Sequence, residues 1–501
     1  MTTSHKSRRR KGGQRGQRAR QAATRPQEAL ATRSASRSSA ATAVAARPPA
    51  STAGRAAPTT GLAAWFAQAP AWLDYVLPAC LFVAALALFL PRLATPPQYI
   101  YDEVYHAYTA GQYVAGNADA YVWYTQAPRS GVAYEWTHPP LGKLLIAGGI
   151  AVFGDNSFGW RYASALFGAI GVVVVYWLGL RLTGKRPVAL LGAAFLLVDG
   201  LYFVQSRTGM PDVMVLVFTA AALASCYGYL TAPPDRVRWP LLRTGALMGL
   251  AVATKWNGAY AAAFIGLVAL WRGWRVWRES QGRRPRPEAL AGVRQHLIWV
   301  PLGLVALPLA IYLASYGPFF LTGHSFGQFV ELQRQMYYYH THLKATHAYA
   351  SQWWEWPLAL RPVWYYTNRT GDTVANIYAN GNPLLYWAFL PAVLWVSWRW
   401  WAKRRMALVV LWIGFFGQWL PWAVSPRLAF VYHFLPAVPF GCLAVAVALA
   451  DLWERDARWR AVAAAYVAVV VAAFVFFFPI YAALPLTPER FDLRMWLSSW
   501  R

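Results

Sequence analysis

An acidic pair, Asp102 and Glu103, lies in the first long interruption of an otherwise apolar chain, residues 92–157. The pair opens the stretch DEVYHAY (102–108), where the preceding apolar helix would leave a bilayer. A carboxylate placed there can take a proton from a hydroxyl group, so we predict that Asp102 is a catalytic base. On one short helix Asp102 and His106 would share a face, and Glu103 would point about 100° away. The alternative is a solvated helix start, where the helix dipole favours acidic residues.

Basic side chains that interrupt apolar segments form a second candidate set. Lys255 breaks the apolar segment 243–271, and a cation at the end of a broken helix usually faces a cavity or an anion. We expect Arg207 and Arg427 on the same membrane face as Lys255. The alternative for each arginine is a side chain that snorkels to the membrane interface.

Two prolines mark a bend in the stretch THPPLGKLL (137–145), where they would rigidify the chain before the next helix. His138 and Lys143 flank this bend and are candidates for a substrate-facing loop. A plain helix-initiating turn is the alternative interpretation.

The segment 335–366 is rich in aromatic residues and contains three histidines, His340, His342 and His347. Their spacing offers no acidic partner before Glu355, so a metal site is not favoured. A helix that lies flat on the membrane and roofs a cavity is the better account of this composition.

The composition indicates a polytopic membrane protein. The chain is 57% hydrophobic and only 13% charged, and it contains 28 Trp and 28 Tyr, which suits interfacial aromatic belts. Much of the net charge of +27 comes from residues 1–71, which hold 13 Lys or Arg against one acid, Glu28. We predict that this tail is disordered and touches anionic membrane lipids, rather than nucleic acid.

The apolar runs and the basic loops together predict the topology. The segment 243–271 must cross the membrane twice, because only then do the basic loops that follow it stay in the cytoplasm. We therefore predict an all-α polytopic protein of the plasma membrane with about 11 transmembrane helices and a cytoplasmic N-terminus. Its parts would be a module over 72–316, two long extracytoplasmic loops at 92–157 and 317–382, and a four-helix module over 383–501.

Seven motifs occur in one order between residue 96 and about residue 445, and together they resemble the protein O-mannosyltransferase family of the GT-C glycosyltransferases. The matching stretches are DEVYHAY (102–108), HPPLGK (138–143), GWRYASALFG (159–168), QSRTGMPD (205–212), KWNG (255–258), HAYASQWWEWPLALRPVWYY (347–366) and RLAFVYHFLPAVPF (427–440).

The resemblance implies transfer of mannose from a polyprenyl-phosphate donor to Ser or Thr hydroxyls of proteins. It makes Asp102 the catalytic acidic residue and Glu103 a neighbour that helps to place the acceptor peptide. The residues expected to face the donor phosphate are Arg161, Arg207, Lys255 and Arg427. Those expected on substrate-facing loops are His106, His138, Lys143, His347 and Trp356.

The chain departs from the fungal and animal members in two places. Where they carry Asp, two residues before the HPP histidine, this chain has Trp136, and the adjacent Glu135 is expected to face differently. The loop 317–382 has no room for their extra sugar-binding-like domain. Both departures suggest a bacterial-type enzyme that acts at the outer face of the plasma membrane.

A single displacement needs one base and cations that stabilise the charge left on the phosphate, and it would invert the anomeric centre. The sequence requires no cofactor and gives no support for a divalent cation, and association with a secretion channel stays open. Two alternatives are a GT-C enzyme that adds a sugar to a lipid or cell-wall glycan, and a lipid or sugar transporter.

Overall fold

The computed structural model describes residues 70–282 and 287–501, and all of these residues belong to one compact unit. The prediction of a disordered tail over residues 1–71 lies outside the described residues, apart from the last two. The described chain is mostly helical. Its first half contains α1 (Leu73–Phe89), α2 (His106–Val114), α3 (Leu141–Phe153), α4 (Ser157–Thr183), α5 (Arg186–Leu197), α6 (Gly200–Gln205), α7 (Asp212–Thr231), α8 (Arg238–Thr254) and α9 (Gly258–Ser280).

The second half adds a strand pair and further helices in chain order. The helices are α10 (Pro287–Pro301), α11 (Leu307–Ser315), α12 (Gly317–Leu321), α13 (Phe326–His342), α14 (Pro383–Trp400), α15 (Arg405–Trp419), α16 (Val438–Trp453), α17 (Ala457–Tyr481) and α18 (Pro488–Asp492). Short 3₁₀ turns at Tyr101–Val104, Trp353–Leu358 and Val431–Ala437 matter below.

The helix α4 is the central support of the first half, where it packs against α1, α3, α5 and α7. The side chain of Asn156 caps its N-terminus, and Gly184 ends it with a φ of 68°. A β-carbon at Gly171 would lie 2.3 Å from the Tyr202 hydroxyl, so only glycine permits this close approach. In the first turn of α4, a β-carbon at Gly159 would lie 2.0 Å from the carbonyl oxygen of Gly154, so the start of α4 packs closely on the chain that follows α3.

Two helices meet at the break that the sequence predicts around Lys255. The helix α8 ends at Thr254, and α9 begins at Gly258. Lys255 itself has an extended backbone, with a φ of −159° and a ψ of 139°. This conformation carries its side chain into the protein, where it is 4% exposed.

Within the described residues, six helical segments are long and apolar enough to cross a membrane: Ser157–Thr183, Asp212–Thr231, Pro287–Ser315, Arg405–Val424, Val431–Trp453 and Ala457–Tyr481. Shorter apolar helices, α1, α3 and α5, accompany them. The chain is therefore a multi-pass membrane protein. The count of 11 spans stays a prediction.

The all-α description needs one correction, because a two-stranded antiparallel hairpin lies in the loop 317–382. Its strands are β1 (Val363–Thr370) and β2 (Thr373–Ala379), joined through Gly371 at a φ of 55°. The strands are rich in aromatic and β-branched residues, which favour a pleated surface. The loop also contains α13, which covers only the first residues of the segment 335–366 for which the sequence predicts a helix flat on the membrane. Its placement on the membrane stays a prediction.

Candidate active site

Asp102 lies on the 3₁₀ turn Tyr101–Val104, and α2 begins only at His106. The expectation of one short helix through both residues is therefore wrong. Tyr101 has a φ of 45°, a left-handed conformation that is unfavourable for a tyrosine and that is often found at functional sites. The ring of Tyr101 stacks on Tyr365 with centroids 4.3 Å apart, which holds the turn in place.

The carboxylate of Asp102 has no hydrogen-bond or ion-pair partner in the described part of the chain. Across residues 70–282 and 287–501, no group donates a hydrogen bond to it and no cation lies within ion-pair distance. Burial raises its pKa to about 7, against the opposing charges of Lys255 and Arg427. A partly exposed carboxylate with a pKa near neutrality is suited to accept a proton.

Lys255 has hydrogen-bonding capacity left for a ligand. Its ammonium lies 2.8 Å from Oδ1 of Asp212, at the start of α7, and 5.5 Å from the centre of the Tyr432 ring. Both members of the ion pair are almost fully buried. An ammonium has three N–H groups, and the described residues accept only one of them, so two remain for an anion.

Arg427 approaches the same place from the other half of the chain. Its Nη1 donates to Nδ1 of His340 at 2.9 Å, and Nε2 of His340 donates to the carbonyl of Thr137 at 2.7 Å. These two bonds require the neutral imidazole, and burial lowers the pKa of His340 to about 4. No other hydrogen bond from the Arg427 side chain is found within the described ranges, so four of its five N–H groups are available.

Three parallel histidine rings, those of His106, His138 and His340, stack in a ladder beside these cations. His106 stacks on His138 at 5.9 Å, and His138 stacks on His340 at 5.2 Å. Burial lowers the pKa of His106 to about 4 and that of His138 well below its usual value. The Nδ1 atoms of His106 and His138 are buried and make no hydrogen bond within the described residues, although that of His106 lies 3.9 Å from Oε2 of Glu135. The ladder is therefore uncharged and keeps polar atoms for a bound substrate.

Glu135, which the sequence analysis set aside, is a buried part of this region. The ammonium of Lys143 donates to Oε2 and to the carbonyl of Glu135 at 2.6 Å, and to the carbonyl of His138 at 2.8 Å. All three N–H groups of Lys143 are used in these bonds, so Lys143 stabilises the loop that contains Glu135 and His138. Burial would raise the pKa of Glu135, but the charge of Lys143 and the hydrogen bonds from Lys143 and Thr137 outweigh it and lower that pKa to about 2.

Glu103 and Arg161 form a closed ion pair beneath the acidic turn. Nε and Nη2 of Arg161 donate to the two oxygens of Glu103 at 2.7 and 2.8 Å. The other N–H groups of Arg161 go to three backbone carbonyls of the preceding loop, Leu93, Pro96 and Gln98. Because all five N–H groups are used, Arg161 has none left for a donor phosphate.

Arg207, which the sequence analysis grouped with Lys255 and Arg427, makes bonds of a different kind. Its guanidinium donates to three carbonyls at the end of α1, those of Phe89, Pro91 and Arg92. Its cationic neighbours are Arg161 and Arg92. Arg207 therefore holds the chain that leads into the acidic loop.

The two remaining predicted site residues, His347 and Trp356, differ in their exposure to solvent. His347 is exposed, and its ring is 6.4 Å from that of Tyr101, at the edge of the site. Trp356 is 1% exposed and donates from Nε1 to Ser351 at 2.9 Å, so it belongs to the support of the site. In the described part of the chain, no group of three His, Cys, Asp or Glu residues is arranged to hold a metal ion.

Sequence profiles of known families match most of the chain. Residues 79–322 match the profile described as dolichyl-phosphate-mannose-protein mannosyltransferase, and residues 325–500 match the C-terminal four-transmembrane region of protein O-mannosyltransferase. A Mycobacterium tuberculosis polyprenol-phosphate-mannose–protein mannosyltransferase is 31% identical over 73% of this chain and 81% of the relative. The chain belongs to the protein O-mannosyltransferase family. It is a glycosyltransferase.

Other relatives and solved structures agree with this family. The Corynebacterium glutamicum protein of the same name is 27% identical over 73% of this chain and 81% of its own length. The Saccharomyces cerevisiae Pmt1–Pmt2 structure, bound to the sugar donor, has a TM-score of 0.71 at 18% identity and covers 87% of this chain and 94% of that one. ArnT from Cupriavidus metallidurans with undecaprenyl phosphate has a TM-score of 0.52 at 18% identity, over 82% and 75% of the two chains. These structures establish a shared GT-C fold.

Proposed function

We propose that this enzyme transfers mannose from polyprenyl-phosphate-mannose to Ser or Thr hydroxyls of proteins, with Asp102 as the base. The observation that carries the proposal is the unpartnered carboxylate of Asp102, with a pKa of about 7, beside cations that keep free N–H groups. The donor and the acceptor follow from the names of the curated relatives.

The reaction is a single displacement. Asp102 takes the proton of the acceptor hydroxyl while the hydroxyl oxygen forms a bond to the anomeric carbon of mannose. The bond from that carbon to the phosphate oxygen breaks, and the electron pair leaves with the polyprenyl phosphate. Lys255 and Arg427 stabilise the charge that grows on the phosphate. Inversion then converts a β-linked donor into an α-linked product.

The remaining polar residues position these groups. Asp212 orients the ammonium of Lys255, and His340 orients the guanidinium of Arg427. Glu103 and Arg161 hold the turn that presents Asp102. The site would lie at the extracytoplasmic face, with the N-terminus in the cytoplasm, because a polyprenyl chain needs the bilayer while its phosphate and sugar need water.

The proposal is tested by incubating the purified protein in detergent with polyprenyl-phosphate-mannose and a Ser/Thr-rich peptide. A parallel reaction offers a lipid or glycan acceptor. We expect mannosyl peptide with the α configuration, which nuclear magnetic resonance of the product would establish. Retention of configuration would exclude the single displacement, and a mannosylated lipid or glycan without mannosyl peptide would favour the other class of GT-C enzyme.

The rate of transfer should depend on the ionisation of Asp102. Because only the carboxylate can accept a proton, kcat/KM should rise with pH through about 7 and level off above it. At pH 6, about a tenth of the molecules carry the charged form, so activity should fall about tenfold from the plateau. A pH profile with peptide acceptor measures this, and a midpoint near 4 would contradict it.

Replacing Arg427 by glutamine should weaken binding of the phosphate-bearing donor. A hydrogen bond to a charged group contributes about 1.5–3 kcal/mol, so the KM for polyprenyl-phosphate-mannose should rise at least tenfold. The peptide KM should stay within about twofold. The exposed Arg361, which makes no described side-chain bond, provides the matched control Arg361→Gln. If the two substitutions raise the donor KM equally, Arg427 does not bind the donor phosphate.

A further inference from the structure

A second polar site lies at the ends of three helices, far from Asp102. A cleft of about 150 Å³ opens where α4, α14 and α16 end, near Thr183, Trp400 and Glu454. This volume is well above the roughly 10–15 Å³ that a single water molecule needs, so the cleft has room for a phosphate group. Six charged side chains line the cleft: Lys185, Arg399, Lys403, Arg404, Asp451 and Glu454.

The cleft is lined by four basic side chains and only two acidic ones. Lys185 pairs with Glu454, and Nε of Arg399 lies 3.1 Å from Oδ2 of Asp451. Lys403 and Arg404 have no carboxylate partner among the described residues, which leaves two positive charges.

Part of the excess charge has a structural explanation. The carbonyl ends of helices favour cations, and Nη1 of Arg404 donates to the carbonyl of Leu182 in the last turn of α4 at 3.0 Å. The ammonium of Lys403 makes no such bond within the described chain and is exposed beside the cleft. A cation without a partner at a cleft is a group that can bind an anion.

The position of the cleft indicates the opposite membrane face. The helix α4 runs from Arg161, beside the acidic turn, to Thr183 at the cleft, which is about 33 Å at 1.5 Å per residue. The hydrocarbon core of a bilayer is about 30 Å thick. Trp398 and Trp401 are 71% and 61% exposed next to the cleft, as expected for an interfacial belt.

We propose that this cleft binds a phosphate-bearing anion, either the headgroup of an anionic membrane lipid or a soluble phosphate. The ammonium of Lys403 would attract the anion through its charge. The free N–H groups of the planar Arg404 guanidinium would donate hydrogen bonds to the phosphate oxygens. The site is separate from the proposed mannosyl transfer and does not depend on it.

The test compares Lys403→Gln with Arg458→Gln, the same charge change at an exposed arginine that follows α16 but does not line the cleft. Neither side chain makes a described bond, so both variants should fold, and their melting curves would establish this. In one arm, native mass spectrometry measures retention of phosphatidylglycerol against phosphatidylcholine in mixed micelles. In the other, tryptophan fluorescence follows titration with inorganic phosphate in detergent without added lipid.

A loss of one basic residue near a membrane surface corresponds to about fivefold weaker binding. We expect this loss in Lys403→Gln and not in Arg458→Gln. Selective retention of phosphatidylglycerol would identify the lipid source, and a saturable response to phosphate would identify the soluble one. Equal losses in the two variants, or no binding in either arm, would overturn the proposal.

Discussion

Replacing Asp102 by asparagine is expected to lower kcat for mannosyl transfer about 10²- to 10⁴-fold, the usual contribution of a general base. Asparagine keeps the size of the side chain and removes its basicity. Because the carboxylate makes no hydrogen bond or ion pair with residues 70–282 and 287–501, its replacement should leave the fold and the donor site unchanged. The measurement is turnover of the peptide acceptor at saturating polyprenyl-phosphate-mannose, together with a melting curve.

A control substitution in the same loop makes this result specific. Asp119 is exposed and makes no described side-chain bond, so Asp119→Asn applies the same charge change away from the cations and should keep full activity. The rise of the rate with pH through about 7 should also disappear in Asp102→Asn. A variant at Asp102 that keeps transfer within about tenfold of wild type would exclude this residue as the base.

Local sequence patterns predict where the chain breaks near the candidate site. Lys255 was identified because a cation interrupts an apolar segment, and the structure places it at a helix break. The position of Asp102 followed from the end of an apolar run. Both are local features that need no knowledge of distant contacts.

Partners that lie far apart in the chain could not be predicted. Asp212 forms its ion pair with Lys255, which is 43 residues away in the sequence, and Arg161 pairs with Glu103, which is 58 residues away. Lys143 and Glu135 are only 8 apart, but nothing local shows that the proline bend folds one onto the other. A sequence shows that a residue is charged, whereas only the structure shows how many of its donors are already used.

The basic residues of the candidate site fall into two groups by the number of N–H groups that they already use within the described protein. Lys143 and Arg161 use every N–H group within the protein, and Arg207 uses three with backbone carbonyls. Lys255 and Arg427 each use one. Lys255 and Arg427 are also the two cations whose charges act on Asp102, so the candidate phosphate site is smaller than the sequence analysis expected.

Replacing Glu103 by glutamine is expected to destabilise the protein by about 3–5 kcal/mol, because it leaves the buried charge of Arg161 without its counterion. Glu103 is fully buried and also accepts from the backbone N–H groups of Ile100 and Gly209 at 3.0 and 2.8 Å. One carboxylate thus joins the acidic turn, the start of α4 and the loop before α7. Denaturant unfolding in mixed micelles measures the loss.

The family resemblance assigns Glu103 a different role, that of helping to place the acceptor peptide, and the two roles predict different results. If the buried pair is the main role, Arg161→Met should be at least as damaging as Glu103→Gln, and the double variant Glu103→Gln with Arg161→Met should lose clearly less stability than the sum of the two single losses. The molecules of Glu103→Gln that fold should then bind peptide with a nearly normal KM. A Glu103→Gln protein with wild-type stability and a peptide KM raised tenfold or more would instead make acceptor placement the main role, since a buried counterion cannot be removed without a cost in stability.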